Sequence, residues 1–494
     1  MIADIPDLIA KRAALTPHRI AFEDAASGRT LTYAALDGRA RRAASLMASR
    51  GAGKGDRVAI LTRNRIEFFE TLLGCAKLGA ILVPLNWRMP PAELDGLIAD
   101  AEPVLLFHGA GEASAAAALA EPLPRIDFDR DYEAGLAAAP PGAWRAHWPG
   151  RSTWYLLYTS GTTGRPKGVI YTYRMAVANY VNIGTCIDLA STDTVASFLP
   201  IFHTAGINLH ALPTLIAGGR VIVMDGFDAE ILVGLIEGRR LDALFAVPTV
   251  YQGLLDHPRF AGAPLGHLRH WACGGAPLPD ALAMRYRDLG VRVCNGMGMT
   301  ETGPTAFLVD PGDAWERIGS VGKPQLLVSA RIVDRKDREL PDGEVGDLQF
   351  AGPGVTPGYW KNEEATQAAF TADGWLRSGD LARRDADGFF YIAGRRKEMF
   401  ISGGENVYPA EVENVLSAHP AVVDAAVLAE ADPKWGEVGR AFVQLAPDGG
   451  HPDGAELDAF CRARLAPYKV PRRFEFVAEF PRTSAGKIQK HLLL

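Results

Sequence analysis

The sequence predicts an α/β fold in three parts. These are a large N-terminal domain of parallel α/β sheets, a small β-barrel-like subdomain attached to it, and a smaller α+β C-terminal domain. Three observations carry the prediction. Short strand-like runs alternate with helical patterns from the N-terminus to about 310, as in parallel sheets covered by helices. After about 310 the pattern changes to short strands punctuated by Gly, Pro and Asp, at 326–333, 343–350 and 388–392. At Gly394-Arg395-Arg396-Lys397 the composition shifts again, and the remainder reads as a compact α+β unit. The domains are therefore drawn as 1–394, with the β part at about 310–393, and 395–494. A chain of 494 residues is too long for one core, which agrees with that division.

Taken in order, the elements begin with an amphipathic helix over 5–14, a strand over 29–33 and an Ala-rich helix over 34–49. A strand over 57–61, a helix over 67–78 and a strand over 80–84 follow. GAGKGD at 51–56 reads as a turn feeding the next strand, because it lacks the upstream Gly of a phosphate loop. The Ala/Pro-rich stretches 113–120 and 137–142 read as surface segments, and Trp154-Tyr155-Leu156-Leu157 as a buried strand. Strands at 195–199, 220–224, 242–246, 269–273 and 291–294 then alternate with helices at 172–184, 227–239, 248–256 and 278–289.

Bulk properties exclude several classes. Hydrophobic content of 48% with 22% charged residues is that of a globular protein. A net charge of −6 argues against a nucleic-acid partner, so an anionic ligand must be held by local cations. Cys75, Cys186, Cys273, Cys294 and Cys461 are scattered, which disfavours structural zinc and a disulfide framework. The N-terminus lacks the basic-then-apolar profile of a signal peptide, and no apolar run reaches the length of a membrane span. The cytoplasm is the expected compartment.

The most informative stretch is YTSGTTGRPKGV, residues 158–169. After a strand, Gly161, Gly164 and Gly168 allow backbone N–H groups to turn toward an anion. Thr159, Ser160, Thr162 and Thr163 add hydroxyls, and Lys167 adds a full charge. GMGMTETG at 296–303 lies beyond a strand's C-terminal end, where open α/β sheets bind ligands. There Thr300 offers a hydroxyl, and Glu301 a carboxylate suited to Mg²⁺. Gly274-Gly275-Ala276-Pro277 can admit a flat base, Asp380 can accept two ribose hydroxyl hydrogens, and Lys487 sits on a short Gly-containing loop. Singly, each has an ordinary structural explanation as a turn former, a cap or a surface charge.

Together and in this order, the motifs resemble the adenylate-forming (AMP-binding) superfamily, in its acyl-CoA synthetase and aryl-CoA ligase branch. The likeness runs from about residue 31 to 494 and also includes LPIFHTAG, SGDL, GRRKEMFISGGENVYPAEVE and PRTSAGKIQK. It implies an ATP-dependent carboxylate–CoA ligase, with ATP, Mg²⁺ and CoA, that forms an acyl-AMP and then a thioester. It implies Lys487 bridging carboxylate and α-phosphate, with His203, Thr300 and Glu301 beside it, and Mg²⁺ held by Glu301 and Thr162. The nucleotide would contact Thr159, Ser160, Gly161, Thr162, Thr163, Gly164 and Lys167, then Gly275, Ala276, Pro277, Asn295, Gly296, Met297, Gly298, Met299 and Thr300. Asp380 would hold the ribose with Arg395 in support. A mobile C-terminal domain, hinged at Lys397, would exchange Lys487 for Gly403 and Gly404 between half-reactions. Met297 departs from the resemblance, since an aromatic is usual there; a thioether can still pack on a base.

The acid pocket is expected around His203, Ile207, Asn208, Cys273, Gly296, Thr302, Pro304 and Ala306, mostly small and apolar, which suits a fatty or aromatic monocarboxylate. FHTAG carries no carboxylate to pair an ammonium, which disfavours amino acids. No carrier-protein domain is expected after Lys490; a stand-alone adenylation enzyme that loads a carrier protein is the alternative. Many members of the superfamily form dimers, but no apolar stripe in this sequence marks an interface.

Overall fold

The computed structural model describes residues 3–140, 142, 144–159, 166–446, 450–482 and 487–493. A six-stranded sheet runs in the spatial order Lys167–Thr172, Thr153–Thr159, Ile81–Leu85, Arg57–Leu61, Pro103–His108 and Arg125–Asp127. Its central strands are parallel and buried on both faces, which is why Ile81–Leu85 is continuously apolar where a half-exposed strand would alternate. Helix Ile66–Leu78 is buried nearly all round, and helix Tyr33–Ser49 packs against it.

A nine-stranded sheet holds the second half of the large domain. From one edge its order is Lys323–Pro324, Phe307–Leu308, Val293–Met297, His270–Cys273, Ala243–Ala246, Thr194–Ser197, Arg220–Val223, Ile20–Asp24 and Thr30–Thr32. The strands from Val293–Met297 to Ile20–Asp24 run parallel. Its last two strands come from the N-terminus, a crossover that local pattern did not reveal. Tyr33, fully buried, fixes that crossover by donating its hydroxyl to the Gly219 carbonyl at 2.6 Å.

Other elements shift for local reasons. The first helix begins at Leu8, because Asp7 caps it by accepting from the Ile9 and Ala10 N–H groups, while Asp4–Pro6 pairs with His147–Pro149. The Ala-rich stretch read as surface contains helix Ala113–Ala117, with Ala116 buried. Helices Thr204–Asn208 and Ala211–Ala217 follow the FHTAG segment.

Where the small β unit is expected, Ser329–Val333, Gly346–Ala351, Leu376–Arg384 and Phe390–Arg395 form an antiparallel sheet. Its core centres on Phe307, Phe350 and Phe390, with the Phe307 and Phe390 ring centroids 4.8 Å apart. A separate C-terminal sheet contains Phe400–Ser402, Glu405–Val407, Val422–Asp432, Gly436–Leu445 and Arg473–Val477. Helices Pro409–Ser417 and Gly454–Arg462 share its core. The turn 396–399, which contains Lys397, joins the last strand of the four-stranded sheet to the first strand of this one. Among the described residues no helix is long and apolar enough to cross a membrane.

Candidate active site

Ser160, Gly161, Thr162, Thr163 and Gly164 lie outside the described residues. The strands flanking them pair antiparallel, with Thr159 opposite Lys167. The second strand is tied to the segment 356–360: the Trp360 N–H donates to the Gly168 carbonyl at 2.7 Å, and the Thr356 hydroxyl to the Ile170 carbonyl at 2.7 Å. Tyr359 then links two charged groups. The Lys167 ammonium lies 5.3 Å from the centroid of its ring, and its hydroxyl donates to Glu301 Oε1 at 3.0 Å.

Glu301 sits buried in the short 3-10 turn Thr300–Thr302, whose carbonyl at Glu301 accepts from the Thr356 N–H at 2.8 Å. Burial raises its carboxyl pKa, and Tyr359, Arg395 and Lys487 oppose that rise. Tyr359 was not among the residues the sequence singled out. Its signal is an aromatic pair, Tyr359-Trp360, closing a Gly/Pro/Thr-rich run.

Asp380 and Arg395 face each other across adjacent antiparallel strands, and Arg395 Nε lies 2.8 Å from Asp380 Oδ1. Burial raises the pKa of Asp380, while Arg395 and Lys487 lower it. Lys487 keeps solvent access yet stands among protein groups. Desolvation lowers its pKa and Arg395 adds to that, while Asp380, Glu301 and Glu398 act in the opposite direction. Its segment is held from both sides. Arg482 and Ile488 form an antiparallel bridge, and the Lys490 ammonium pairs with Glu398 at 2.8 Å and Glu413 at 2.7 Å.

His203 caps the helix Thr204–Asn208, with its ring 4.6 Å from that of Phe202. Burial, with Arg88 and Lys487 adding to it, lowers its pKa to about 4, so at neutral pH the imidazole is uncharged. Five predicted residues from distant parts of the chain, His203, Glu301, Asp380, Arg395 and Lys487, thus share one electrostatic neighbourhood. Arg88 is an addition to that set. It follows the strand Ile81–Leu85, a C-terminal strand end of the kind that binds ligands.

Around the expected base site, Gly275 (φ +82°) and Pro277 are exposed and Ala276 is half-buried. Asn295 donates its side-chain amide to the Ser320 carbonyl at 2.8 Å. Gly296 is held in the strand opposite Leu308, and Met297 opposite Phe307. Met297 and Met299 both pack against the Phe307–Phe350–Phe390 core. At Gly298 any side chain is excluded, because a Cβ there would lie 1.5 Å from the Pro304 carbonyl oxygen.

Several of the expected acid-pocket residues are held by contacts within the fold. Asn208 accepts from the Tyr155 hydroxyl at 2.7 Å and donates to Thr204 Oγ1 at 3.1 Å. Thr302 donates to the Met299 carbonyl at 3.0 Å, Cys273 is fully buried in the core beside Trp271, and Ala306 is fully buried beside Phe307. Ile207 is likewise fully buried, and Pro304 supplies the carbonyl beside Gly298.

Gly403 and Gly404 form the exposed two-residue turn between Phe400–Ser402 and Glu405–Val407, with φ of +61° and +91°. A Cβ on Gly403 would lie 2.7 Å from the Trp435 ring. Among the described residues no group of three or more His, Cys, Asp or Glu could hold a metal ion. One carboxylate, Glu301, still fits Mg²⁺, which takes most of its ligands from phosphate and water. A separate cavity of about 310 Å³, lined by Arg63, Arg65, Glu112, Asp129 and Asp225 among others, contains none of the predicted residues, and Arg63–Asp225 and Arg65–Asp129 ion pairs cross it.

Residues 9–360 match the AMP-binding enzyme family and residues 411–487 its AMP-binding enzyme C-terminal domain. The chain is 42% identical to a feruloyl-CoA synthase of an Amycolatopsis species over 97% of this chain and 96% of that one. It is 35% identical to an indoleacetate–CoA ligase of Aromatoleum aromaticum over 99% and 97%. The o-succinylbenzoate CoA synthetase of Bacillus subtilis, solved with its acyl-adenylate intermediate, superposes with a TM-score of 0.90 at 32% identity, covering 99% of this chain and 98% of that one.

Proposed function

The chain belongs to the family of AMP-binding enzymes and is an AMP-forming carboxylate–CoA ligase, and from that premise we propose how its residues divide the reaction and which acid it takes. ATP and CoA are its co-substrates. In the first half-reaction a carboxylate oxygen bonds to the α-phosphorus and pyrophosphate leaves. In the second, the CoA sulfur bonds to the acyl carbon and AMP leaves.

The first half-reaction brings two anions together, so cations must sit where the charge builds. Lys487 is the group that bridges carboxylate and α-phosphate. Thr159, Lys167 and the loop 160–164 hold the departing phosphates. Glu301, with Thr162, holds Mg²⁺, which screens the phosphate charge when bound; Tyr359 orients the Glu301 carboxylate. Asp380 accepts the ribose hydroxyls, and Arg395 favours its ionised form against the effect of burial. Gly275, Ala276, Pro277, Met297 and the loop anchored by Asn295 border the base. Neutral His203 stands at the acyl end, where it can donate a hydrogen bond without adding charge. The convergence of Lys487 with His203, Glu301, Asp380 and Arg395 is the observation that carries this assignment.

For the second half-reaction, residues 395–494 rotate about the turn at Lys397, withdrawing Lys487 and bringing Gly403 and Gly404 toward the thiol. A turn as the link between the two sheets supports that motion.

The acid is an aromatic monocarboxylate. Support comes from the feruloyl and indoleacetate ligases, and from an apolar cluster that includes Ile183, Ile187, Leu209 and Phe245, against which Ala205, two residues after His203, packs. The test is a panel of fatty, cinnamic, benzoic and arylacetic acids with ATP, Mg²⁺ and CoA, reading AMP release and thioester formation. Selection of aromatic over fatty acids by tenfold or more in kcat/KM is the expected outcome. Preference for fatty acids removes the aromatic assignment.

A further inference from the structure

Two histidines that the reaction does not use stand at one face of the nine-stranded sheet. His210 precedes helix Ala211–Ala217, and His270 opens strand His270–Cys273. Both are at least nine-tenths buried, at 4% and 3% exposure. None of their four ring nitrogens has a hydrogen-bond partner among the described residues. Buried polar groups are rarely left so, because each loses its water without replacement.

Their placement follows from the strand register. Val195, Ala243 and His270 lie in one row across three parallel strands, and Phe245 and Ala272 in the row two residues further on. Alternation puts His270, Ala272 and Phe245 on one face. The ring of His210 meets that of Phe245 edge-on, with centroids 6.0 Å apart. The two imidazoles are also close enough for His270 to lower the pKa of His210 electrostatically, beyond the larger effect of burial.

Ser197 and Thr305 carry buried hydroxyls with no partner among the described residues. Ser197 shares the Val195 face. Thr305 is joined to the His210 segment through Asn179, which donates to the Asn208 carbonyl and accepts from the Thr305 N–H at 3.2 Å. His270 lies four residues before Gly274, about 13 Å along the strand from the end where acid meets nucleotide.

We propose that His210 and His270, with Ser197 and Thr305, form the far end of the acid pocket and hydrogen-bond a polar substituent, a ring hydroxyl above all, carried by the aromatic acid opposite its carboxylate. The inference rests on the assignment of an aromatic acid made above. A neutral imidazole offers one donor and one acceptor nitrogen, so a phenol can donate to one ring and accept from the other. Burial keeps both rings neutral at physiological pH, with pKa values lowered to about 3 for His210 and about 4 for His270. Asp310, which raises the pKa of His270, does not offset the desolvation, and Arg269 adds to the lowering. A site that hydrogen-bonds a substrate hydroxyl discriminates strongly against the analogue lacking it, because its own polar groups are left unpaired.

The test compares 4-hydroxycinnamate with cinnamate as substrates for the full-length enzyme, before and after His210→Phe and His270→Phe. The wild type is expected to favour the hydroxylated acid by ten- to a hundredfold in kcat/KM. Each variant is expected to lower that ratio at least tenfold, and His210→Gln to restore part of it. Reading the ratio cancels any loss of rate common to both acids. If a phenylalanine variant fails to fold, the Gln variant and the wild-type ratio remain decisive. A wild-type ratio near one, or a ratio unmoved by the substitutions, overturns the proposal while leaving the aromatic assignment intact. Absence of turnover with every aromatic acid overturns both.

Discussion

Replacing Lys487 by alanine takes one cation out of a cleft that also holds Arg395, Asp380, Glu301 and Glu398. In the first half-reaction as proposed, that cation faces a carboxylate and an α-phosphate at the moment they join. A unit charge about 4 Å away, at an effective dielectric of about 20, interacts by about 4 kcal/mol. That corresponds to about a thousandfold in rate. Truncation also leaves Arg395 as the one cation opposing the burial of Glu301 and Asp380 among the groups named for them, which does not help bind an anionic nucleotide. Adenylation, followed by acid-dependent exchange of labelled pyrophosphate into ATP, is therefore expected to fall by about a hundred- to a thousandfold. Thioester formation from supplied acyl-AMP and CoA is expected to change by less than about tenfold, because Lys487 has no anion pair left to bridge. Equal losses in the two assays would refute the reasoning and make Lys487 a structural residue.

Tyr359→Phe removes the hydrogen bond to Glu301 Oε1; a hydrogen bond to a charged group contributes about 1.5–3 kcal/mol, so adenylation should fall about tenfold or more, with a rise in the Mg²⁺ concentration needed, read from exchange rates over a Mg²⁺ titration. Gly403→Ala meets both a left-handed φ and the Trp435 ring, and should cost about 1–2 kcal/mol in a urea denaturation series; an unchanged midpoint would contradict the tight hairpin. His270 has its folded pKa lowered to about 4, below the unfolded value of about 6.5. Between those values the unfolded chain binds more protons, so this residue makes the protein lose stability as pH falls from about 6.5 to about 4. The difference in urea midpoint between wild type and His270→Phe should shift in favour of the variant across that window, and no shift would mean the ring is paired in solution.

Much of this site was legible before folding was considered. A strand followed by Gly and hydroxyl residues, then Lys167, reads as an anion loop because backbone N–H groups and a cation are what phosphates need. Glu301, Asp380, Arg395 and Lys487 were legible by their order along the chain, since a family motif records chemistry at reacting atoms. Apolar runs placed the inner strands of the nine-stranded sheet and several strands of the six-stranded one to within a few residues, as at 57–61 and Arg57–Leu61, but not Ile20–Asp24, Pro103–His108, Arg125–Asp127 or Lys167–Thr172. What depends on long-range packing was not legible. Tyr359 joins Glu301 only because the segment 356–360 pairs with the strand Lys167–Thr172, a contact across nearly two hundred residues.

Sequence therefore determined the reaction class and supplied the candidates for phosphate contact, because such groups are chosen by local chemistry. Only the tertiary structure decided which neighbours of the motifs are packed into the core and which are left accessible. Asn208 and Cys273 proved to be held by packing and hydrogen bonds, while His270 was set by the register of the parallel strands and His210, at the start of a helix, by its ring contact with Phe245 on the same face. Register and burial are properties of the whole sheet, and no residue carries them alone.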